Sequence, residues 1–329
     1  SNLTMSDKTV KEPGLLKAFF SNLPRLNRLN NCVIGIVNVL TLNVCQSILS
    51  KKKKKTKNLT FQLSYFITMK QMESLVPLCQ AIEIILPSNT FEFLLQLKDK
   101  SHLFEKVTSF HFKQEFNSKN IPLLHDLQYL ENCDCLKVHL EKNGTETLDS
   151  MQLYKYLRFP KNLKHLEWDI NGHLLPVFPI SQPKPSSYED LKAALDACNE
   201  HEVLGPFLKE NPFGHLEGFT FRLSSVKGQK VSVYPFVASM IKEQTKLANL
   251  YLALPSNPGI LAPFEVNYFL DFVNPKIKNI TVNVPFFFFS KGPELKKFEK
   301  LRSLSLISSS KSIEDVKEGF IEFLRAVEN

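Results

Sequence analysis

The sequence predicts an α/β solenoid, with a curved parallel sheet on the concave face and helices on the convex face. Three observations predict it. An apolar residue, two others, then three more apolar residues at alternate positions recur along the chain, as in Leu163-x-x-Leu166-x-Trp168-x-Ile170 and Leu216-x-x-Phe219-x-Phe221-x-Leu223. The second apolar place falls at 34, 59, 82, 110, 136, 166, 219, 250, 280 and 304, so eight of nine intervals lie between 23 and 31 residues. Amphipathic helical stretches fill those intervals. Alternation at period two marks a short strand with one buried face. Its return every few tens of residues marks stacked modules rather than a globule around one pocket.

About ten strands are expected on this spacing. Residues 1–29 form an N-terminal segment or cap, 30–310 the solenoid, and 311–329 a capping helix. The pattern runs on through Leu247-x-x-Leu250-x-Leu252-x-Leu254, Ile277-x-x-Ile280-x-Val282-x-Val284 and Leu301-x-x-Leu304-x-Leu306. One helix has the face Phe91, Leu94, Leu95 and Lys98, with Ser88 and Thr90 suited to its start. Further helices are expected over Tyr188 to Cys198, around Phe236, Met240 and Ile241, and from Phe264 to Val273. Val316, Phe320, Phe323, Leu324 and Val327 make the apolar face of a last helix, which would close the open end of the stack.

The long interval of 53 residues holds a Pro-rich stretch, about 172–190, with Pro176, Pro179, Pro183 and Pro185. Proline at that density excludes a central strand or helix interior. Residues 171–216 hold either a degenerate repeat or an insertion; an insertion that leaves the stack and returns through a helix is favoured.

From Cys133-x-x-Leu136-x-Val138 onward these cores resemble the leucine-rich repeat family, over roughly residues 30–310. The family's Asn or Cys after the strand is not kept, although Asn143, Asn171 and Asn257 lie near the expected place. The irregularity is similar to that of divergent eukaryotic repeats in F-box substrate receptors of ubiquitin ligases. Leu23-Pro24 is present, but no acidic residue and aliphatic pair follow, so the F-box motif itself is not found. The resemblance implies protein recognition without a cofactor.

Composition narrows the function classes. A 43% hydrophobic and 22% charged content suits a folded chain. The net charge of +8 suggests a nucleic-acid or anionic-membrane partner. Six of the 41 basic residues, however, form one run: Lys51, Lys52, Lys53, Lys54, Lys55 and Lys57. Setting them aside leaves 35 against 33 acidic residues, so the excess is one loop and not a face. That loop could touch phosphates weakly, but no aromatic residues interleave to stack bases. No apolar run reaches the ~20 residues that span a bilayer. The six scattered Cys and the absence of a signal-peptide pattern place the chain in the cytoplasm or nucleus.

No phosphate-cradling Gly loop, G-x-S-x-G or H-E-x-x-H is present. Cys133 and Cys135, with His125 and His139 near, do not have the spacing of a zinc site, and Cys133 occupies an apolar place of the repeat. No metal or cofactor is expected. Glu167 and Asp169 share one face of a strand, which suits acid–base work, but equally a solvated sheet surface.

Residues between the apolar places should line the concave face. The first column reads Thr60, Glu83, His111, Lys137, Glu167, Thr220, Tyr251, Thr281 and Ser305. The second reads Gln62, Ile85, Lys113, His139, Asp169, Arg222, Ala253, Asn283 and Ile307. From these we expect a protein-binding surface built on Lys137, His139, Glu167, Asp169, Arg222, Tyr251 and Ile307, with Tyr251 and Arg222 as anchors. The expected function is non-catalytic: a scaffold or substrate receptor of a larger assembly such as a ubiquitin ligase. The alternative is a nucleic-acid-associated subunit, of chromatin or kinetochore type, tethered through Lys51–Lys57.

Overall fold

The computed structural model describes residues 2–4, 14, 18, 31–36, 42–43, 45–47, 50, 59–64, 68–86, 91–116, 119–142, 150–171, 174, 188–223, 234–242, 244–254, 264–284, 287–288 and 295–308. Its strands are β1 (Asn2–Thr4), β2 (Asn31–Ile36), β3 (Leu59–Leu63), β4 (Ala81–Leu86), β5 (Val107–Phe116), β6 (Cys135–Lys142) and β7 (His165–Ile170). They continue as β8 (Gly218–Leu223), β9 (Asn249–Ala253), β10 (Phe264–Glu265), β11 (Asn279–Val284), β12 (Phe287–Phe288) and β13 (Ser303–Ser308). Eleven of these form one sheet in the order β1-β2-β3-β4-β5-β6-β7-β8-β9-β11-β13, and every pair in it is parallel. The sheet exceeds the expected ten strands because β1 adds beside β2. β10 and β12 pair separately, which puts Phe287 and Phe288 of the Phe286–Phe289 run into a strand.

From β5 onward the predicted apolar places share one row: Phe110, Leu136, Leu166, Phe219, Leu250, Ile280 and Leu304. Upstream the register differs. Ile82 lies opposite Val107, and a bulge then brings Glu83 to Ser109 and Ile85 to His111. Gln62 lies opposite Glu83 and Thr60 opposite Ala81. The expected columns are therefore corrected there: Thr60 and Glu83 do not join the row of His111. Ile82, Ile84 and Leu86 all enter the core, so the alternation does not fix which of them faces Phe110, and the ladder sets Ile84 there.

The helical layer comprises α1 (Met69–Leu75), α2 (Phe91–Leu97), α3 (Ser101–Phe104), α4 (Ser150–Tyr156), α5 (Tyr188–Glu200), α6 (Leu204–Glu210), α7 (Tyr234–Lys242) and α8 (Val266–Phe272). 3₁₀ turns at Ile121–Tyr129 and Leu295–Lys297 take the helix's place in two modules. A capping box opens α1: the Gln71 N–H donates to Thr68 Oγ1 at 3.3 Å, and the Thr68 N–H donates to Gln71 Oε1 at 2.8 Å. In α2 the buried face is Phe93, Leu94 and Leu97; Leu95, expected inside, is 53% exposed. Phe264 and Glu265, expected at a helix start, are strand instead.

β7 pairs directly with β8. The long interval therefore contributes no strand between them; α5 and α6 occupy its described part. The Pro-rich residues 175–187, Lys51–Lys57 and 311–329 lie outside the described residues.

Two repeating polar devices join the modules. The carbonyl just before each of β6, β7, β8, β9 and β11 accepts two N–H groups from the next module, as Lys164 O does from Glu217 and Gly218 at 2.8 and 3.0 Å. Asp134, Glu217, Ala248 and Lys278 repeat this fork. Asn side chains at the turns ahead of the strands satisfy a second carbonyl: Asn132 Nδ2 donates to Glu105 O at 2.8 Å, Asn162 Nδ2 to Glu131 O at 2.9 Å, and Asn274 Nδ2 to Thr245 O. Asparagine thus serves the turn before the strand, whereas the leucine-rich-repeat resemblance leads to the expectation of one after it.

The buried face of the sheet meets the helices in one continuous core. One part of it is aromatic. Trp168, fully buried, has ring centroids within 5.6–6.3 Å of Tyr154, Phe159, Phe207, Phe221 and Phe236. Asn211 ties α6 to this region: its Oδ1 accepts the Phe159 N–H at 2.7 Å, and its Nδ2 donates to Phe207 O at 2.8 Å and Leu157 O at 3.3 Å.

Candidate functional site

The other face of the sheet carries the polar residues, and β5 to β9 bring them together. In-register pairing makes one row of His111, Lys137, Glu167, Thr220 and Tyr251, and a second of Lys113, His139, Asp169, Arg222 and Ala253. Strands about 4.8 Å apart place such side chains within reach of each other.

Two ion-pair chains result. In the first, Lys137 Nζ lies 3.1 Å from Glu167 Oε2, Arg222 Nη1 bonds Glu167 Oε1, and the Arg222 guanidinium lies over the Tyr251 ring at 5.3 Å. In the second, His139 sits between two carboxylates, Nε2 to Glu141 Oε1 at 2.7 Å and Nδ1 to Asp169 Oδ2 at 2.8 Å. Lys113 Nζ reaches the same Glu141 oxygen at 3.0 Å.

The electrostatics follow from these contacts. Burial alone would raise the Glu167 carboxyl, but Lys137 and Arg222 outweigh it and hold the group below its ordinary value of 4.5. The His139 hydrogen bond, helped by Lys113, does the same for Glu141. His111 is pushed below 6.5 by burial first and by Lys137 second. Of the carboxylates considered for acid–base chemistry, Glu167 is thus held in an ion pair and Asp169 contacts His139.

A slot of about 310 Å³ opens over β8 beside the first chain. Gly218 and Thr220 form its floor, and His165, Glu167, Asn249 and Tyr251 of the flanking strands stand higher on either side. A Cβ on Gly218 would lie 2.6 Å from His165 Nδ1, so a larger residue there would push the exposed His165 ring aside. Asn279 Nδ2 donates to Asn249 Oδ1 at 2.7 Å and extends the wall across one more strand.

Of the residues expected at the site, Lys137, His139, Glu167, Asp169, Arg222 and Tyr251 come together. Ile307 does not: it is 43% exposed on β13, three strands beyond Arg222 in the same row. The basic loop lies outside the described residues. The row Ser109, Cys135, His165, Gly218, Asn249 and Asn279, one step earlier on each strand, was missed. Gly218, a glycine inside an otherwise regular strand pattern, was its one visible signal.

Cys133 is fully buried, with its Sγ 3.2 Å from Cys135 O. No group of three or more His, Cys, Asp or Glu side chains is arranged for a metal ion among the described residues. No helix among them is long and apolar enough to cross a membrane.

The architecture is an α/β fold of repeated strand-and-helix modules on one all-parallel sheet. Comparison with protein-family models and with curated proteins finds no match for this chain.

Proposed function

We propose that the chain is a non-catalytic protein-recognition module that binds through the open face of its sheet, with Arg222 and Tyr251 as anchors. One observation carries the reading: the Arg222 guanidinium is held between the Glu167 carboxylate and the Tyr251 ring, beside a slot. A side chain fixed before binding loses little conformational freedom on contact, which favours a specific interface. Arg and Tyr also dominate measured interface energetics. The leucine-rich-repeat resemblance supports a scaffold or a substrate-receptor subunit, such as that of a ubiquitin ligase, acting in the cytoplasm or nucleus.

The test is affinity purification of the tagged chain with mass spectrometry of co-eluting proteins. Arg222→Ala and Tyr251→Ala should each deplete the specific partner, while deletion of Lys51–Lys57 leaves it. Loss of the partner on that deletion alone, with steep weakening between about 50 and 200 mM salt, would instead favour the tethered nucleic-acid subunit.

A further inference from the structure

The slot over β8 is lined by Lys137 and Glu167 among others, and Arg222 reaches Glu167 from beside it. Glu167 is the single acidic residue lining it, and both of its oxygens are engaged, Oε2 by Lys137 and Oε1 by Arg222. Two cations therefore face one carboxylate. An ammonium has three N–H donors and a guanidinium five, so most of those on Lys137 and Arg222 stay available, and the two side chains are 46% and 43% exposed. Asn249 adds an amide: its Oδ1 is taken by Asn279, which leaves its Nδ2 group to donate. A further carboxylate, Asp169, is one pleat along and in contact with His139.

We propose that this slot receives an acidic side chain, Asp or Glu, from an extended segment of a partner protein, with its carboxylate between Lys137, Arg222 and Asn249. The proposal rests on the recognition reading above and names the chemistry of the partner. Charge complementarity points to a carboxylate: a cationic residue would meet a carboxylate already saturated, and an apolar one would strand the free donors. The shape points to a side chain on an extended backbone. Two small residues, Gly218 and Thr220, run along the strand for about 7 Å between taller walls.

The experiment is panning of a random linear-peptide phage library against the full 329-residue chain at about 150 mM salt. The best peptide is then made with a fluorophore and titrated by anisotropy. The recovered peptides should share an Asp or Glu whose change to Gln weakens binding about tenfold or more. Arg222→Gln and Lys137→Met should each reproduce that loss, and Thr220→Trp, which fills the slot, should remove binding. Circular dichroism and the thermal midpoint check that each variant is folded.

Several results overturn the proposal. One is recovery of no peptide. Another is peptides indifferent to the Gln change but still lost on Thr220→Trp, which sinks the acidic anchor and leaves the recognition reading standing. Peptides insensitive to all three protein variants sink both. A phosphoserine peptide more than tenfold tighter than its Glu counterpart assigns the slot to phosphate.

Discussion

Arg222 bonds Glu167 and not Asp169, although Asp169 is the residue directly opposite it in the sheet. The cause lies on both sides. Asp169 Oδ2 is already engaged by His139 at 2.8 Å, while Tyr251 on the next strand offers its ring face at 5.3 Å. The short Thr220 between Glu167 and Tyr251 leaves room for the guanidinium to lean back over that row. Asp169 Oδ1 is left buried with no hydrogen-bond partner among the described residues.

This diagonal pair should contribute to binding more than to folding. With the Arg222 side chain 43% exposed, Arg222→Ala should lower stability by less than about 1 kcal/mol. A double-mutant cycle with Tyr251→Ala, followed by urea unfolding, should give a coupling of about 0.5–1 kcal/mol.

Trp168 is fully buried in the aromatic centre of the core, and its Nε1 finds no acceptor among the described residues. Trp168→Ala should cost about 3–5 kcal/mol through the cavity it leaves. Trp168→Phe should cost clearly less, because it keeps most of the ring contacts and removes the orphan donor. Urea melts followed by circular dichroism separate the two.

Asn211, 6% exposed, satisfies three backbone groups across α6 and the segment after α4. Asn211→Leu should destabilise by about 1–3 kcal/mol, since it leaves the Phe159 N–H buried without an acceptor. Thermal unfolding reads this directly.

Stability should fall with acid in two stages. His111 is held below 6.5, so below that pH the unfolded chain takes up a proton that the folded chain resists, and stability drops as pH falls towards the folded value. Glu141 and Glu167 are held below 4.5, so their contributions are complete above 4.5 and disappear as pH falls through their lower folded values. His111→Gln should flatten the upper stage and Glu167→Gln the lower one, as read from the fluorescence of the single tryptophan in urea titrations.

The buried thiols should be slow to react. Burial pushes Cys45 and Cys133 up to about 12, and Cys79 and Cys198 up to about 11. At neutral pH almost no thiolate is present to attack a disulfide reagent. Labelling of these four in the native chain should be slow and become rapid in denaturant, as peptide mapping would show.

Much of the sheet was legible because burial alternates with period two inside each strand. The places Phe110, Leu136, Leu166, Phe219, Leu250, Ile280 and Leu304 fall into one row for that reason. The displacement of Glu83 was not legible, since Ile82, Ile84 and Leu86 alternate alike and the pattern leaves open which of them faces Phe110. The slot was hidden for a related reason. Gly218 makes an opening only because His165 and Asn249 flank it, and they lie 53 and 31 residues away in the chain. Asn211 looked like any loop asparagine until Phe159 and Leu157 came within hydrogen-bond distance.

The sequence by itself determined which strand side chains enter the core and which face outward, because that depends on neighbours two residues apart. Only the tertiary structure decided which charges meet. Glu167 could have turned to any cation near it, and the choice of Lys137 and Arg222 follows from register across strands and from the short Thr220 beside Tyr251. Those are distances between separate modules, and the repeat pattern leaves them open.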